Sequence, residues 1–450
     1  MIKRFRSIWL LWLLCLIPVG TAYAVDRLFL APECPDCNSE LTSKLPLFDG
    51  TQQGLVRIDA NSMEFRARVA GFDNKDGEGV ILLHGFPETS IMWQPLIDKL
   101  SEAGYRVVAF DQRGYSPGAR PEDDKAYTKG KIARDVLAIA DAVGFERFHV
   151  IGHDFGGAMA WVVADRYPER VMSLTAMSMP HPSALAESLQ DLAPQIRLSS
   201  YILFYKMPVL PELVLGFDRA AYLRHFRWQD APPEQIAEYE QVFGEPGALH
   251  AALDWYRMFE FRSLDPLGKI TPPTLFIWGH RDQAFGRRAA IETANFIDGP
   301  YRFHSVNAGH QLMLEVPETV EDDVLDHLAN WRRVTEQWND RIAAMPQDNG
   351  SACDQSASPP PCLSIFVAQD GKTLRIRNRC DKPYEGVVRM SCSAWGPDAS
   401  VEYRFDLGAK SEMAQESTGF SFGDCYYRHR LCGASTAEQH AGPAAMLSQP

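Results

Sequence analysis

The chain has no cysteine between Cys37 and Cys353, although its 450 residues include nine cysteines. Three of these lie near the start, at positions 15, 34 and 37, and the other six follow residue 350. A long central region without cysteine excludes a fold that depends on disulfides or on cysteine metal ligands there. The apolar fraction of 46% instead indicates a core-forming globular protein, and the length suggests about two or three domains.

The sequence also lacks an excess of positive charge, because 58 acidic residues outnumber 45 basic ones and give a net charge of -13 at pH 7. A protein that binds phosphate backbones needs the opposite balance, so no nucleic-acid partner is predicted. No Gly-rich phosphate loop is present, and no spacing of His, Cys, Asp and Glu indicates a metal site. We therefore predict an activity that needs neither a cofactor nor a metal.

Long apolar runs are scarce as well. The run near the N-terminus, at 8–19, follows three basic residues and precedes a small-x-small cleavage site at 22–24. It is too short to span a bilayer comfortably. This pattern predicts a signal peptide over residues 1–24 and a protein exported to the periplasm or secreted, without a stable membrane anchor. An uncleaved anchor is the alternative.

Two short cysteine-containing parts flank the central region. Residues 25–45 form a leader with a Cys-x-x-Cys motif at 34–37, for which a local disulfide is favoured over a redox pair or half of a zinc site. A Pro/Ser-rich stretch at 346–361 predicts a linker. After it, apolar runs around an Asp-Gly pair at 370–371 and an alternating run at 401–407 predict strands. Residues 362–450 are therefore predicted to form a small, disulfide-stapled β domain, with its cysteine pairing and its binding partner left open.

The central region, residues 46–345, alternates short apolar runs with amphipathic stretches. The runs lie at 80–83, 107–110, 148–151, 174–179 and 275–278. Such alternation predicts an α/β sheet with helices on both faces. From about 182 to 268 it gives way to a mostly helical stretch rich in Leu, Tyr and Phe, which predicts a cap over the carboxyl edge of the sheet.

One aspartate lies between glycines where a predicted strand meets a predicted helix. The segment Gly152-His153-Asp154-Phe155-Gly156-Gly157 has the pattern of the sharp turn that exposes a nucleophile, with Asp154 where many hydrolases have serine. Capping of the helix that begins at Phe155 is an equally good interpretation of Asp154 taken alone. Three further features of the sequence support the interpretation of Asp154 as a nucleophile.

These three features follow strand-like segments in the order that a catalytic triad requires. The segment at 84–87 follows the first run, where the backbone N–H groups of Phe86 and Phe155 are expected to form an oxyanion hole. Asp282 and His310 follow later segments, which gives the chain order nucleophile, acid, histidine. Reference pKa values of about 4 for Asp and about 6.5 for His predict an ionised Asp154 and a largely neutral His310 near pH 7.

Together these motifs resemble the α/β-hydrolase superfamily, and within it the epoxide hydrolase and dehalogenase branch with an aspartate nucleophile. The segments that carry the resemblance are 84–88, 111–115 and 152–157, with the Asp282/His310 pair, and the resemblance covers about residues 50–335. It implies that Asp154 displaces a leaving group from an alkyl carbon and becomes an ester. Water activated by His310, which Asp282 orients, then hydrolyses that ester.

The leaving group separates the two activities of this branch. An opened epoxide leaves as a basic alkoxide and needs a proton donor, which tyrosine, with a pKa of about 10, can be. The segments 200–205 and 253–257 resemble those that carry the ring-opening tyrosines of epoxide hydrolases, which places these roles on Tyr201 and Tyr256. Tyr205 is the alternative to Tyr201, and core packing is the alternative for each tyrosine.

A halide needs no proton, only N–H donors. Haloalkane dehalogenases have a tryptophan directly after the nucleophile, and here that position is Phe155. Haloacetate dehalogenases need extra cationic groups, and the loop after Asp111 offers Arg113 without a second arginine close by.

The sequence therefore predicts an exported hydrolase that opens a small or medium apolar epoxide to a vicinal diol with water. Trp93 and His153 are predicted to line the substrate pocket. A haloalkane or haloacetate dehalogenase that uses the same aspartate is one alternative. An exported binding or adhesion protein, in which the hydrolase fold is a scaffold for the C-terminal domain, is the other.

Overall fold

The computed structural model describes residues 41–188, 201–258 and 266–343, and six strands between 363 and 434. The predicted signal peptide at 1–24, most of the leader at 25–45 and the linker at 346–361 lie outside these residues, so all three stay predictions. No helix in the described ranges is long and apolar enough to cross a bilayer.

An eight-stranded sheet forms the centre, in the order β1-β2-β4-β3-β5-β6-β7-β8. Its strands are β1 (Gly54–Ala60), β2 (Met63–Ala70), β3 (Gly79–Leu83), β4 (Arg106–Phe110), β5 (Phe148–His153), β6 (Val171–Met177), β7 (Thr274–Gly279) and β8 (Tyr301–Val306). Strands β3 to β8 are parallel to one another, and β2 is antiparallel to both of its neighbours. The predicted α/β sheet is confirmed. The β1–β2 hairpin, which turns at Asn61 and Ser62 with positive φ at both, was not predicted.

Helices cover both faces of the sheet. In chain order they are α1 (Gln94–Glu102), α2 (Lys129–Ala142), α3 (Phe155–Arg166), α4 (Pro182–Ser188), α5 (Tyr201–Tyr205), α6 (Leu210–Phe226), α7 (Pro233–Phe243), α8 (Ala248–Met258), α9 (Arg287–Glu292), α10 (Leu312–Glu315) and α11 (Pro317–Ala343). Alternate residues of β3 pack into two different cores: Ile81 and Leu83 join α2 and α3, while Val80 and Leu82 join α1 and α11. A strand buried on both faces explains why its sequence is a continuous apolar run.

In the described residues between β6 and β7, the structure has five helices, α4 to α8. The stretch predicted as a cap, 182–268, is therefore mostly helical in its described parts, which exclude residues 189–200 and 259–265. Because this insertion leaves the sheet after β6 and returns at β7, it stands at the carboxyl edge of the parallel strands, where open α/β sheets bind ligands.

The C-terminal part contains two antiparallel three-stranded sheets, in the orders β13-β10-β9 and β12-β11-β14. The strands are β9 (Leu363–Val367), β10 (Thr373–Asn378), β11 (Tyr384–Cys392), β12 (Val401–Leu407), β13 (Glu412–Glu416) and β14 (Cys425–Ala434). Strands β9, β10 and β12 coincide with the strands expected from the sequence. The disulfide stapling of residues 362–450 is not shown and stays a prediction.

Candidate active site

Asp154 lies at the sharp turn between β5 and α3. Its φ of 53° and ψ of -122° belong to a region that side chains other than glycine rarely adopt. Two glycines make the turn possible: a Cβ at Gly152 would lie 2.2 Å from the Gly156 carbonyl oxygen, and one at Gly156 would lie 2.0 Å from that of Leu83. The Asp154 side chain does not cap α3, so the capping interpretation is not supported.

His310 and Asp282 approach Asp154 from the ends of two other strands. His310 Nε2 lies 3.2 Å from Asp154 Oδ2, and His310 Nδ1 lies 2.9 Å from Asp282 Oδ2. The other Asp282 oxygen accepts hydrogen bonds from the N–H groups of Ala284, at 2.7 Å, and Phe285, at 3.1 Å. Asp282 is thus held in one orientation, and it orients His310 in turn. The structure brings together the three side chains expected to form the triad.

Two backbone N–H groups point at the Asp154 carboxylate. The Phe86 N–H donates to Asp154 Oδ1 over 3.1 Å, and the Phe155 N–H also donates to this carboxylate. The loop that carries Phe86 is braced by Gln112. Its side-chain amide donates to the His84 carbonyl at 2.6 Å, and its backbone N–H donates to His84 Nε2 at 3.0 Å. Both donors expected for the oxyanion hole therefore face Asp154.

The charges around the triad shift both central pKa values. Burial alone would raise the pKa of the Asp154 carboxyl, but the hydrogen bond and charge of His310, with the charge of His153, lower it below its usual value. Burial alone would lower the pKa of His310, but the charge of Asp282 and the hydrogen bonds to Asp154 and Asp282 raise it to about 10. The prediction of a largely neutral His310 is therefore wrong for the free site, because reference values omit the two flanking carboxylates.

His153 and Ser178 hold the backbone of His310. His153 Nε2 lies 2.9 Å from the His310 carbonyl oxygen, and its Nδ1 lies 3.3 Å from Glu88 Oε2. The Ser178 hydroxyl donates to the same His310 oxygen at 2.9 Å. Sequence reasoning missed this support. Glu88 ends the segment 84–88 that carries the resemblance, which could have pointed to it, whereas no sequence signal points to Ser178.

Trp93 is fully buried in the core formed with α1 and α11, where it packs with Met92, Leu96 and Leu312. Its indole N–H has no hydrogen-bond partner among the described residues. The pocket-lining roles of Trp93 and His153 both stay predictions.

Three cap tyrosines pack over the Asp154 turn. Tyr256 lies edge-on to Phe86 and Phe155, with ring centroids 5.3 and 4.6 Å away. Tyr205 lies 4.8 Å from the Tyr256 ring, and Tyr201 lies 6.3 Å from it. Burial raises the pKa of all three phenols, and the negative charge of Asp154 contributes to each shift. The three hydroxyls are therefore protonated near neutral pH, and Tyr201 and Tyr205 both stay candidates for the first cap acid.

Tyr115, in the loop after β4, is a further buried phenol that sequence reasoning missed. It is 1% exposed, and its hydroxyl has no partner among the described residues. Its ring centroid lies 4.6 Å from that of His84, in the loop that carries the oxyanion donor Phe86. Burial raises its pKa, as do the charges of Asp154 and Glu88. It ends the segment 111–115 of the resemblance, which is the signal that could have identified it.

A buried ion-pair network fastens the cap to the sheet. The Glu238 carboxylate, on α7, pairs with Arg66 at 2.8 Å and with Arg68, and it accepts a hydrogen bond from Thr89 at 2.8 Å. Arg66 also pairs with Asp111 at 2.8 Å. Since Thr89 follows the loop that carries the oxyanion donor Phe86, the network ties the cap to this loop.

A second cluster in the described ranges has metal-ligating side chains: Asp124, His250 and Asp254 offer ligand atoms within 4.8 Å of one another. The cluster also contains Arg257, which pairs with Asp254 at 3.0 Å and with Glu212 at 2.6 Å. A fixed arginine among the carboxylates favours an ion-pair network that joins α6 to α8.

Comparison with known proteins gives a family match and similar relatives. The family model described as the alpha/beta hydrolase fold matches residues 79–317. The AB hydrolase superfamily protein YfhM of Bacillus subtilis is 34% identical over 284 residues, which cover 61% of this chain and 97% of that protein. Epoxide hydrolase A of Mycobacterium tuberculosis is 31% identical over 310 residues, which cover 60% of this chain and 96% of that protein.

A solved structure from a study of novel epoxide hydrolases in metagenomes from hot environments has a TM-score of 0.55 and 27% identity, and the match covers 62% of this chain and 99% of that one. The region that matches the family model contains both oxyanion donors and all three residues of the Asp154–His310–Asp282 site.

Proposed function

The chain belongs to the α/β-hydrolase family and is an enzyme similar to epoxide hydrolases, and from this premise we propose that it opens an apolar epoxide to a vicinal diol through an ester on Asp154. The observation that carries the proposal is the position of the Asp154 carboxylate. It lies between the His310 imidazole and the Phe86 N–H, beneath the cap tyrosines.

In the first step an Asp154 oxygen attacks a ring carbon of the epoxide. A new carbon–oxygen bond forms to Asp154 as the ring carbon–oxygen bond breaks, and the released alkoxide takes a proton from Tyr201 or Tyr256. The shifted pKa values support these roles, because a lowered pKa keeps the Asp154 carboxylate ionised. The raised tyrosine pKa values keep the donors protonated until the alkoxide forms.

In the second step water hydrolyses the ester. Esterification removes the negative charge of Asp154, which is one of the groups that raise the pKa of His310, so His310 gives its proton to the tyrosinate left by the first step and is then able to act as a base. It takes a proton from water, whose oxygen attacks the ester carbonyl carbon while the Phe86 and Phe155 N–H groups stabilise the oxyanion. The tetrahedral intermediate then expels the diol oxygen, which takes the proton from His310. The proton left on the Asp154 carboxyl passes to His310, which restores the starting state of the site.

The dehalogenase alternatives find less support in the same site. Phe155 occupies the position after the nucleophile, and the indole N–H groups of Trp255 and Trp228 donate to backbone carbonyls at 2.7 and 2.8 Å, so they are not free for a halide. The guanidinium of Arg113, the candidate for a haloacetate carboxylate, makes two hydrogen bonds to Asp135, at 2.7 and 2.6 Å.

A covalent-trapping experiment tests the proposal. His310→Gln retains the nucleophile but lacks the base, so on incubation with styrene oxide it should accumulate an adduct that carries the whole mass of the epoxide. Peptide mapping should locate this adduct on Asp154, and the matched control, Asp154→Ala with His310→Gln, should acquire none. The wild type should release the diol.

Other outcomes of this experiment contradict the proposal. Halide release from a bromoalkane or a haloacetate without diol formation from any epoxide indicates a dehalogenase. Hydrolysis of a nitrophenyl ester that persists in Asp154→Ala indicates a different nucleophile. Inactivity of the wild type toward all of these substrates favours a binding protein on a hydrolase scaffold.

We also propose that the enzyme is exported, because of the basic start, short apolar run and cleavage site within residues 1–24. Protein purified from expressing cells should begin at Val25 on N-terminal sequencing. A chain that still begins at Met1 contradicts the proposal.

A further inference from the structure

Exposed large apolar side chains are concentrated on two cap helices. In the part of the chain that the structure describes, five of the six such side chains lie on α5 and α6: Leu203 (72% exposed), Val214 (38%), Phe217 (71%), Tyr222 (41%) and Phe226 (62%). The sixth, Leu47, lies before β1. Single exposed apolar side chains are ordinary, whereas their concentration on two helices of the cap marks an interaction site. These five residues are called the cap patch below.

Folding of the cap does not require the cap patch. The inner side of α6 is already apolar, because Leu215, Ala220 and Leu223 are buried. On the outer side, Tyr222 and Phe226 lie one turn apart with ring centroids 4.8 Å from each other. Helix α6 is therefore apolar on two sides, and its outer aromatic rings face solvent.

The charge around the cap patch is opposite to that of the whole chain. The chain carries a net charge of -13, but the described charged side chains at the surface of residues 201–227 are basic: Lys206, Arg224 and Arg227, the last of which also donates to the Tyr205 hydroxyl at 3.4 Å. Glu212, the acidic side chain described in this stretch, is fully buried and pairs with Arg257 at 2.6 Å. Arg224 lies 3.0 Å from Glu240 on α7, so part of this charge is balanced.

We propose that the cap patch binds the surface of an anionic lipid bilayer. Aromatic and leucine side chains with basic residues beside them are the combination by which a helix lies in a membrane interface, where the rings sit among the headgroups and the cations pair with lipid phosphates. The binding is peripheral and reversible. It goes beyond the proposed function and does not depend on it.

The position of the cap patch adds a consequence for catalysis, which does rest on the proposed function. Helix α5 carries Leu203 of the patch together with Tyr201 and Tyr205, whose rings lie 5.4 Å apart and pack towards Tyr256. The surface proposed to contact lipid is therefore the outer side of the cap, whose inner side covers Asp154. An apolar epoxide dissolved in the bilayer would be delivered directly to the cap.

Hydrogen–deuterium exchange with lipid vesicles tests the proposal on the full chain. Backbone amides of residues 210–227 should gain protection when vesicles of phosphatidylcholine mixed with phosphatidylglycerol are added, and they should gain less with phosphatidylcholine alone or at high salt. Because the readout is confined to the cap, binding through the apolar run at 8–19 cannot produce it.

Matched variants identify the side chains responsible. Phe217→Ser with Phe226→Ser should lower the affinity for anionic vesicles at least about tenfold, because two exposed rings are removed. Leu47→Ser, at an exposed apolar position outside the patch, should not change it. Both variants should turn over a water-soluble epoxide like the wild type when no lipid is present, since these side chains are exposed and lie outside the site.

Three results would overturn the proposal. Cap amides that gain no protection from anionic vesicles exclude the membrane surface. Equal protection of these amides by neutral and by anionic vesicles shows that the patch does not prefer anionic lipid. A dimer seen by light scattering that dissociates in the double serine variant assigns the patch to a second copy of the chain instead. A failure of the trapping experiment, by contrast, concerns the proposed function and leaves vesicle binding as a separate result.

Discussion

The sheet and the cap hold their parts of the site in different ways. On the sheet side, Asp154, Asp282 and His310 stand at strand ends, and polar contacts of 2.7 to 3.2 Å fix the direction of each side chain. On the cap side, Tyr201, Tyr205 and Tyr256 are placed by ring contacts 4.8 to 6.3 Å between centroids. Hydrogen bonds fix orientation, whereas ring packing fixes only approximate position. The charged triad on the sheet side is therefore pre-organised more tightly than the proton-donating tyrosines of the cap.

The two regions also differ at their surfaces. Among the described residues, the helices against the sheet leave no large apolar side chain exposed, while α5 and α6 of the cap expose five. The cap is joined to the sheet side by a shared apolar core, in which Tyr256 packs on Phe86 and Phe155, and by buried polar contacts that include the Glu238 network.

The largest effect is expected at the nucleophile. Asp154→Ala removes the carboxylate that forms the ester, so turnover of styrene oxide should fall by about 10⁴-fold or more, measured as diol formation. The melting temperature should fall little, because the strained backbone of Asp154 positions its buried carboxylate for the site and does not pack the core. If Asp154→Ala retained more than about one per cent of the activity, another residue would be the nucleophile, and the reacting carboxylate would not belong to the hydrogen-bonded triad on the sheet side.

A smaller effect is expected in the cap. Tyr201→Phe with Tyr256→Phe removes both proposed donors but keeps their packing, so alkylation of Asp154 by an epoxide should slow by about 10² to 10⁴-fold, the range of general acid catalysis. Rapid-quench mass spectrometry in the His310→Gln background measures this step directly.

Single variants distinguish the donors. Tyr205→Phe serves as the matched control, since Tyr205 lies one helical turn from Tyr201. If Tyr205→Phe slows alkylation more than Tyr201→Phe, Tyr205 is the first cap acid. Undiminished alkylation in the Tyr201/Tyr256 double variant removes both tyrosines from the mechanism.

Removing the charge of Glu238, which joins the cap to the sheet, should lower the stability moderately. Glu238→Gln leaves Arg66 and Arg68 buried with less negative charge beside them, so the free energy of unfolding should fall by about 3 kcal/mol. Glu240→Gln on the same helix removes a surface pair with Arg224 and should change it by less than about 1 kcal/mol. Denaturant titration measures both values, and equal effects would show that the Glu238 network does not fasten the cap.

The last expected effect is on the pH dependence of stability. The pKa of His310 rises from 6.5 to about 10 on folding, so protonated His310 stabilises the fold fully below pH 6.5. This contribution is lost as the pH rises towards 10, because the folded pKa is then passed. The melting temperature of the wild type should therefore fall more between pH 6.5 and pH 10 than that of His310→Gln. Parallel curves for the two proteins would contradict a raised pKa.

The parts of the site that the sequence predicted are those set by the ends of strands. Short apolar runs identified β3, β5 and β7, and the residues directly after parallel strands must meet at one edge of the sheet. The sequence positions of Asp154 and Asp282, just after two of these runs, were therefore enough to predict that their side chains lie close together. The resemblance in segments 84–88 and 152–157 added the oxyanion donors, because those donors belong to the backbone of the same turns.

The parts that the sequence did not predict depend on contacts between distant segments. Ser178 contacts the His310 carbonyl directly and Glu88 contacts His153, which holds the same carbonyl, and local sequence alone does not predict either contact. The protonation of His310 was predicted wrongly, because its pKa depends on carboxylates that folding brings within 3.2 Å. Glu238 was missed for a related reason: a lone glutamate on an amphipathic helix usually faces solvent.

The sequence by itself determined the alternation of strands and helices, the glycine-flanked Asp154 turn and the order of nucleophile, acid and histidine, since these follow from local periodicity and backbone sterics. Only the tertiary structure decided the charge of His310, the packing of the cap tyrosines against Phe86 and Phe155, and the exposure of the apolar side chains of α5 and α6. Electrostatic energies and burial depend on the distances between side chains, and these distances are set when the chain folds.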